Sequence, residues 1–429
     1  MSAYQTVCIL AALAFSLGFL NQYLMRMQTT IAITSGALAI SVVLMVLGKT
    51  LRPELANLAV HTLSSIDFPD FVLRGVLGPL LFAGGLGINL EAMRQQKWEI
   101  GVLVVFGVIC STVLVGLGLW LLAELLSLQI PLVYCLLFGA IISPTDPIAV
   151  LAIVKKLNAP EQIAVQLEGE SLFNDGIGLV MFLTVYAVAF GSGHASTALV
   201  LEIVAQEVVG GLLFGLLIGL LAHFMISATD EGPMELGLTM CVPTAGFVVA
   251  NMLGVSGPLA MVVAGIIVGN WTRKSGFSDE GRHFLDKFWA LLDEALNALL
   301  FLMIGLAMVM IAYHPVVVVL SVAAIALVLA ARFATVGLSF AGFRRFRRYH
   351  MYSVRILSWG GLRGALSLAM AISIPTGVAV GARGEFDLRD LLVAVTYAVV
   401  LFSIIVQGIT IAPIVRRSRA EADSRGEAA

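Results

Sequence analysis

The sequence predicts an all-α integral membrane protein of about thirteen transmembrane helices, and three features predict it. Of its 429 residues, 59% are hydrophobic and only 12% charged, about half the charged share of a soluble domain. The apolar residues fall in separate runs long enough to cross a hydrocarbon core of about 30 Å as helices, without the in/out alternation of a barrel. The basic residues gather in alternate loops, as helices threading a bilayer require.

The crossings follow from hydropathy in chain order. The first spans Tyr4 to Leu24; it has no basic segment before it and no small-residue cleavage site after it, so it reads as a helix rather than a signal peptide. Thr30 to Val46, Leu73 to Leu90, Gly101 to Leu126 and Pro131 to Val154 come next, then Glu161 to Phe190, Glu202 to Phe224, Met234 to Leu253 and the short Gly257 to Trp271. Phe284 to Ala312, Pro315 to Phe340, Tyr352 to Ala379 and Leu391 to Val415 complete the set. Residues 1–415 therefore form one transmembrane unit, and 416–429 a short, polar, cytoplasmic tail that reads as disordered.

With thirteen crossings and the C-terminus inside, eighteen of the 25 Lys and Arg residues fall in inner segments, among them Arg344, Arg345, Arg347, Arg348 and Arg425. Lys49, Arg52, Arg74, Arg383 and Arg389 fall outside, and Arg332 and Arg363 lie within crossings. The N-terminus is thus expected outside. The net charge of −2 points to no nucleic acid. Cys8, Cys110, Cys135 and Cys241 stand singly in apolar runs and read as small core residues, not metal ligands.

Two crossings are interrupted. The fifth carries Ser143, Pro144, Thr145, Asp146 and Pro147 in an apolar run. One proline would be a kink; two around a Thr-Asp pair predict local unwinding, which lipid tolerates only where protein or a wet cavity receives the freed carbonyls. The twelfth carries Ser358, Trp359, Gly360, Gly361, Leu362, Arg363 and Gly364, and a charge at that depth must be paired or hydrated. The two stand seven apart in the order of crossings, an odd separation, so they run in opposite directions. That predicts two six-helix inverted repeats around the seventh crossing, with the discontinuous helices crossed at the substrate site of a secondary transporter.

The sixth crossing contains LEGESLFNDGIG, with Glu170 four residues before Asn174 and Ser171 four before Asp175. All four share one broad face, and Glu168 lies just before them. A small hard cation needs several oxygens including a negative charge. Asp175 and Ser171 can supply two, and unwound carbonyls around Thr145 more. Glu170 reads more readily as a structural partner of Arg363, and Arg332 as a structural arginine facing Asp293 or Glu294.

These residues resemble the monovalent cation/proton antiporter family, in the branch of bacterial and archaeal sodium/proton exchangers and animal sodium/hydrogen exchangers. The resemblance runs through SPTDPIAVLAIVKKLNAPEQIAVQLEGESLFNDG (143–176), LLFAGGLGINLEAMR in the third crossing, ALNALLFLMIGL in the tenth and SWGGLRGALSLAMA in the twelfth. It implies that Asp175 binds the ion or proton, with Ser171 and the main chain at Thr145 as co-ligands of the metal cation. It implies further that Glu170 and Asn174 orient the site, and that Asp146 and Arg363 balance the charges and dipoles of the breaks. Where some members carry an acid in the third crossing, Ala83 stands here. The resemblance also implies a homodimer, with a core bundle of approximately 101–190 and 315–415 moving against a dimerisation bundle of approximately 1–100 and 200–312.

The expected function is secondary antiport of sodium, or lithium or potassium, for protons, electroneutral because Asn174 cannot carry a second proton. No cofactor is expected beyond the transported cation. The rivals are a sodium-coupled symporter, a passive cation channel and an intramembrane serine protease. The last rests on GVSG at 254–257, a weak motif without a base: His283, His314 and His350 stand near crossing ends.

Overall fold

The computed structural model describes residues 3–24, 26–50, 66–191, 197–311, 314–343 and 353–424. Of the residues used to predict topology, Arg52, Arg344, Arg345, Arg347, Arg348, His350, Arg425 and the crossing limits Ala312 and Tyr352 lie outside them.

Every predicted crossing falls on helix. The helices are α1 (Ala3–Leu24), α2 (Thr29–Thr50), α3 (Phe68–Gly87), the short α4 (Leu90–Gln95), α5 (Lys97–Leu125), α6 (Leu132–Ile142), α7 (Ile148–Lys156) and α8 (Glu161–Phe190). Then come α9 (Val200–Ile226), α10 (Gly232–Met252), α11 (Gly257–Ile267, helical on to residue 275), α12 (Asp279–Leu306), α13 (Pro315–Phe343), α14 (Ser353–Gly360) and α15 (Ala365–Ile372), and α16 (Leu388–Ser418). Among the described residues ten helices are long and apolar enough to span a membrane; the fifth, ninth and twelfth predicted crossings are the shorter pieces.

Four details depart from expectation. The twelfth crossing ends at Ile372, and the chain then forms a hairpin in which β1 (Ala379–Val380) pairs antiparallel with β2 (Phe386–Asp387). Pro375 opens this segment, and Gly377, Gly381 and Gly384 adopt positive φ within it, a conformation that costs glycine little. The tail read as disordered is helical through Ser424, because Arg, Ala and Glu propagate a helix already nucleated in the bundle. Cys8 and Cys241 are exposed rather than in the core, with only Cys135 buried; a small apolar thiol suits a lipid-facing position equally well. The third crossing begins five residues earlier than predicted, at Phe68, capped by the Asp67 carboxylate.

The chain divides into two compact units, Met1–Val72 with Cys110–Ala164 and Asn297–Ala429, and Leu73–Ile109 with Val165–Leu296. In the second unit, glycines let backbones touch. A Cβ on Gly265 would lie 2.5 Å from the Phe82 carbonyl, and one on Gly269 would meet Leu86. On α9, Gly211, Gly215 and Gly219 face Ser256, Ala260 and Ala264 of the α11 segment. Numbers that rise together along both helices mean parallel neighbours, so α3, α9 and α11 run the same way, as their predicted odd positions require. Glu235 of α10 is fully buried and its carboxylate accepts from the Ser278 amide and hydroxyl, each at 3.0 Å, fastening the start of α12.

In the first unit, Thr34 donates to the Phe301 carbonyl at 3.3 Å and Ser41 to the Gly305 carbonyl at 3.1 Å, so α2 and α12 are parallel. Gly139 of α6 meets Thr112 while Gly116 meets Leu136, so α5 and α6 are antiparallel. Both results agree with the predicted parity.

Candidate functional site

The interruption predicted in the fifth crossing lies between Ile142 and Ile148, where residues 143–147 leave helical geometry. The interruption in the twelfth is residues 361–364. Both belong to the first unit, and the structure joins them. The Asp146 amide donates to the Leu362 carbonyl at 2.8 Å, and Arg363 Nη1 donates to the Ser143 and Pro144 carbonyls at 2.5 and 2.8 Å.

The electrostatics follow from helix ends. The carbonyls at and just beyond the C-terminal end of α6 have no intrahelical donor and the helix end carries partial negative charge, so a buried guanidinium there satisfies the Ser143 and Pro144 acceptors and opposes the dipole. At the other side of the gap α7 begins with free amides, and Asp146 Oδ1 accepts from the Ile148 amide at 3.1 Å. A Cβ on Gly364, just before α15, would lie 2.6 Å from Asp146 Oδ2. One carboxylate therefore stands at the N-termini of two half-helices. Thr145 is buried within the same unwound segment.

The rest of the arginine break is held by residues that sequence reasoning missed. Ser403 Oγ accepts from the Arg363 amide at 3.0 Å, and Gln407 Nε2 donates to the Trp359 carbonyl at 2.8 Å. Both lie on α16 four residues apart, a polar pair in an apolar helix, and that spacing was the available signal. Arg332 of α13 donates to the Leu357 carbonyl at 3.0 Å, and a Cβ on Gly361 would lie 2.7 Å from its Nε. The glycines of this break serve close approach as well as helix weakness.

The acidic face of α8 belongs to the second unit. Glu170 and Asn174 are buried, while Ser171 and Asp175 are partly accessible. The neighbouring stripe fixes the rotation of the helix: Leu172 packs on Gly84 of α3, and Gly176 on Leu259 of α11. With Leu172 and Gly176 committed to those helices, Ser171 and Asp175 point to a different side. Ala83, beside Gly84, is partly buried. Gln166, one turn before Glu170 on its stripe, was also missed: it is fully buried and neither amide atom has a hydrogen-bond partner among the described residues.

The GVSG segment has a structural role. Ser256 Oγ caps α11 by accepting from the Leu259 amide at 3.4 Å, Gly254 takes φ of +67°, and Pro258 occupies the first turn. No group of three or more His, Cys, Asp and Glu side chains suited to a metal occurs among the described residues.

A many-helix membrane protein whose two interrupted helices seal each other's ends with a carboxylate and an arginine has the architecture of a secondary transporter. The chain belongs to the sodium/hydrogen exchanger family: the family described as "Sodium/hydrogen exchanger, transmembrane" matches residues 12–417. It is 40% identical over 416 residues to the Na(+)/H(+) antiporter NhaP of Pseudomonas aeruginosa, covering 96% of each chain. It is 32% identical to the Na(+)/H(+) antiporter NhaH of Halobacillus aidingensis, covering 89% of this chain and 91% of that one. The structure of the sodium proton antiporter MjNhaP1 from Methanocaldococcus jannaschii matches with a TM-score of 0.72 at 18% identity, covering 96% and 97%, which establishes the fold. The family is one of transporters, so the protease reading falls.

Proposed function

We propose that this chain exchanges sodium for protons across its membrane by alternating access, with one carboxylate, Asp175, taking either guest. The carrying observation is a polar face, with Ser171 and Asp175 partly accessible on it, in a 30-residue helix otherwise apolar enough to cross a bilayer. The activity named for the relatives from Pseudomonas and Halobacillus supports it.

The reading rests on elementary electrostatics. A carboxylate removed from bulk water is poorly tolerated as a bare charge, and either a proton or a cation neutralises it. If the protein changes its opening only when Asp175 is neutralised, a cation carried one way obliges a proton to be carried the other. Ser171 and the main chain at Thr145 are the proposed co-ligands, Glu170 and Asn174 the orienting groups, and Asp146, Arg363 and Arg332 the supporting charges. Asn174 offers no second ionisable carboxylate, so the proposed exchange is one for one and electroneutral.

The proposed orientation is N-terminus outside and C-terminus in the cytoplasm, supported by the distribution of Lys and Arg in the sequence. The proposed assembly is a homodimer, with approximately 1–100 and 200–312 as its dimerisation bundle and approximately 101–190 and 315–415 as the moving core; the sequence motifs shared with the family support it.

Purified protein in liposomes with a trapped pH dye tests the central reading. Sodium added to one side should collapse an imposed proton gradient, with lithium and potassium setting the selectivity order. Absence of response to all three overturns it. Sodium should also release protons from detergent-solubilised protein, which a sodium-coupled symporter lacking a competing proton would not do.

A further inference from the structure

The geometry points to an anionic phospholipid bound by its phosphate between Arg355 and Arg417, at the membrane face where α13 ends, α14 begins and α16 ends. All residues of this site belong to the first unit. A half-open groove of about 260 Å³ is lined by Phe333 of α13, Arg355 and Trp359 of α14, and Ile414 and Arg417 of α16.

Chain direction orders these residues by depth. Helix α14 runs inward from this face, so Arg355 precedes Trp359 by one turn and lies about 6 Å nearer the surface. Helix α16 runs outward, so Arg417 follows Thr410 by two turns and lies about 10 Å nearer the surface. The deeper level is pinned because Trp359 Nε1 donates to Thr410 Oγ1 at 2.9 Å. Two guanidiniums therefore form the outer rim, and an indole, Ile414 and the 40% exposed ring of Phe333 form the wall beneath. Farther along the same stripe of α16, Val406 is 40% exposed.

A charged rim over an apolar wall has the polarity of a phospholipid, with its headgroup above and its chains below, and a soluble anion would have no use for the wall. Arginine offers forked donors that match phosphate oxygens, and basic pockets between transmembrane helices bind acidic headgroups. A choline headgroup would bring its own cation toward two arginines, so a phosphatidylglycerol-type lipid fits better. The inference needs only membrane embedding and is independent of which cation is carried or which face is inner.

Native mass spectrometry of the full chain in detergent, with phosphatidylglycerol or phosphatidylcholine added, tests it. We expect a phosphatidylglycerol adduct in preference to phosphatidylcholine, weakened about fivefold by Arg355→Gln and by Arg417→Gln separately. The double change to lysine should keep the preference. Phosphatidylglycerol should also raise the melting temperature where inorganic phosphate does not. Equal binding of both lipids, or a preference unaltered by either glutamine change, overturns the site. Full stabilisation by inorganic phosphate alone replaces the lipid with a soluble anion. If Arg355→Gln fails to fold, Arg417→Gln on the exposed end of α16 decides the matter alone.

Discussion

The Asp146 amide donates to the Leu362 carbonyl at 2.8 Å, so the gap in one interrupted helix is stitched to the gap in the other. Backbone groups freed by prolines and glycines thus find partners inside protein, as membrane depth demands.

Arg363→Ala should destabilise the protein by about 2–5 kcal/mol, because the buried Ser143 and Pro144 carbonyls lose their donor. Arg363→Lys should recover only part of this, since an ammonium lacks the planar fork. Thermal unfolding followed by intrinsic fluorescence measures both.

Gly364→Ala tests the approach of Asp146 to the start of α15. Alanine is the better helix former, yet the added methyl would lie 2.6 Å from Asp146 Oδ2. The expected outcome is a loss of about 1–3 kcal/mol; a gain in melting temperature would contradict the geometry.

Asp175→Asn should yield a folded, membrane-inserted protein without sodium-dependent proton flux. Normal size-exclusion behaviour with silent dye traces is the expected pair of results, and preserved flux would remove the central assignment.

Competition at one carboxylate has a pH signature. The apparent sodium KM should fall as the pH rises, because one proton must leave for each cation bound. Turnover should not respond to an imposed membrane voltage. Flux measurements at several pH values, with and without a potassium-valinomycin potential, check both.

Gln166→Leu should raise stability by about 1 kcal/mol, since a buried amide without partners among the described residues is replaced by an apolar side chain of similar size. Denaturation in matched detergent gives the sign.

Much of this was legible in the residues. Apolar run lengths located the helices, ten of which among the described residues are long enough to span a membrane, and Pro144, Pro147 and the Gly360–Gly364 segment marked both interruptions. The partners of the breaks were less visible. Ser403 and Gln407 look like ordinary polar residues of a spanning helix until the chain returns them to Arg363 and Trp359 across some forty residues. The hairpin at 379–387 was hidden because its two-residue strands are too short for alternation to register. The register of Gly211, Gly215 and Gly219 against α11 was likewise beyond a reading of local pattern, which sees small residues but not what they approach.

That seam carries a mechanical consequence. Main chain lies directly on main chain where Gly211 and Gly215 meet Ser256 and Ala260, and again where Gly265 and Gly269 meet Phe82 and Leu86, so at these points little side chain stands between α11 and its two neighbours to act as a bearing. The three are welded into a plank, and whatever bends during a turnover must hinge at some other joint.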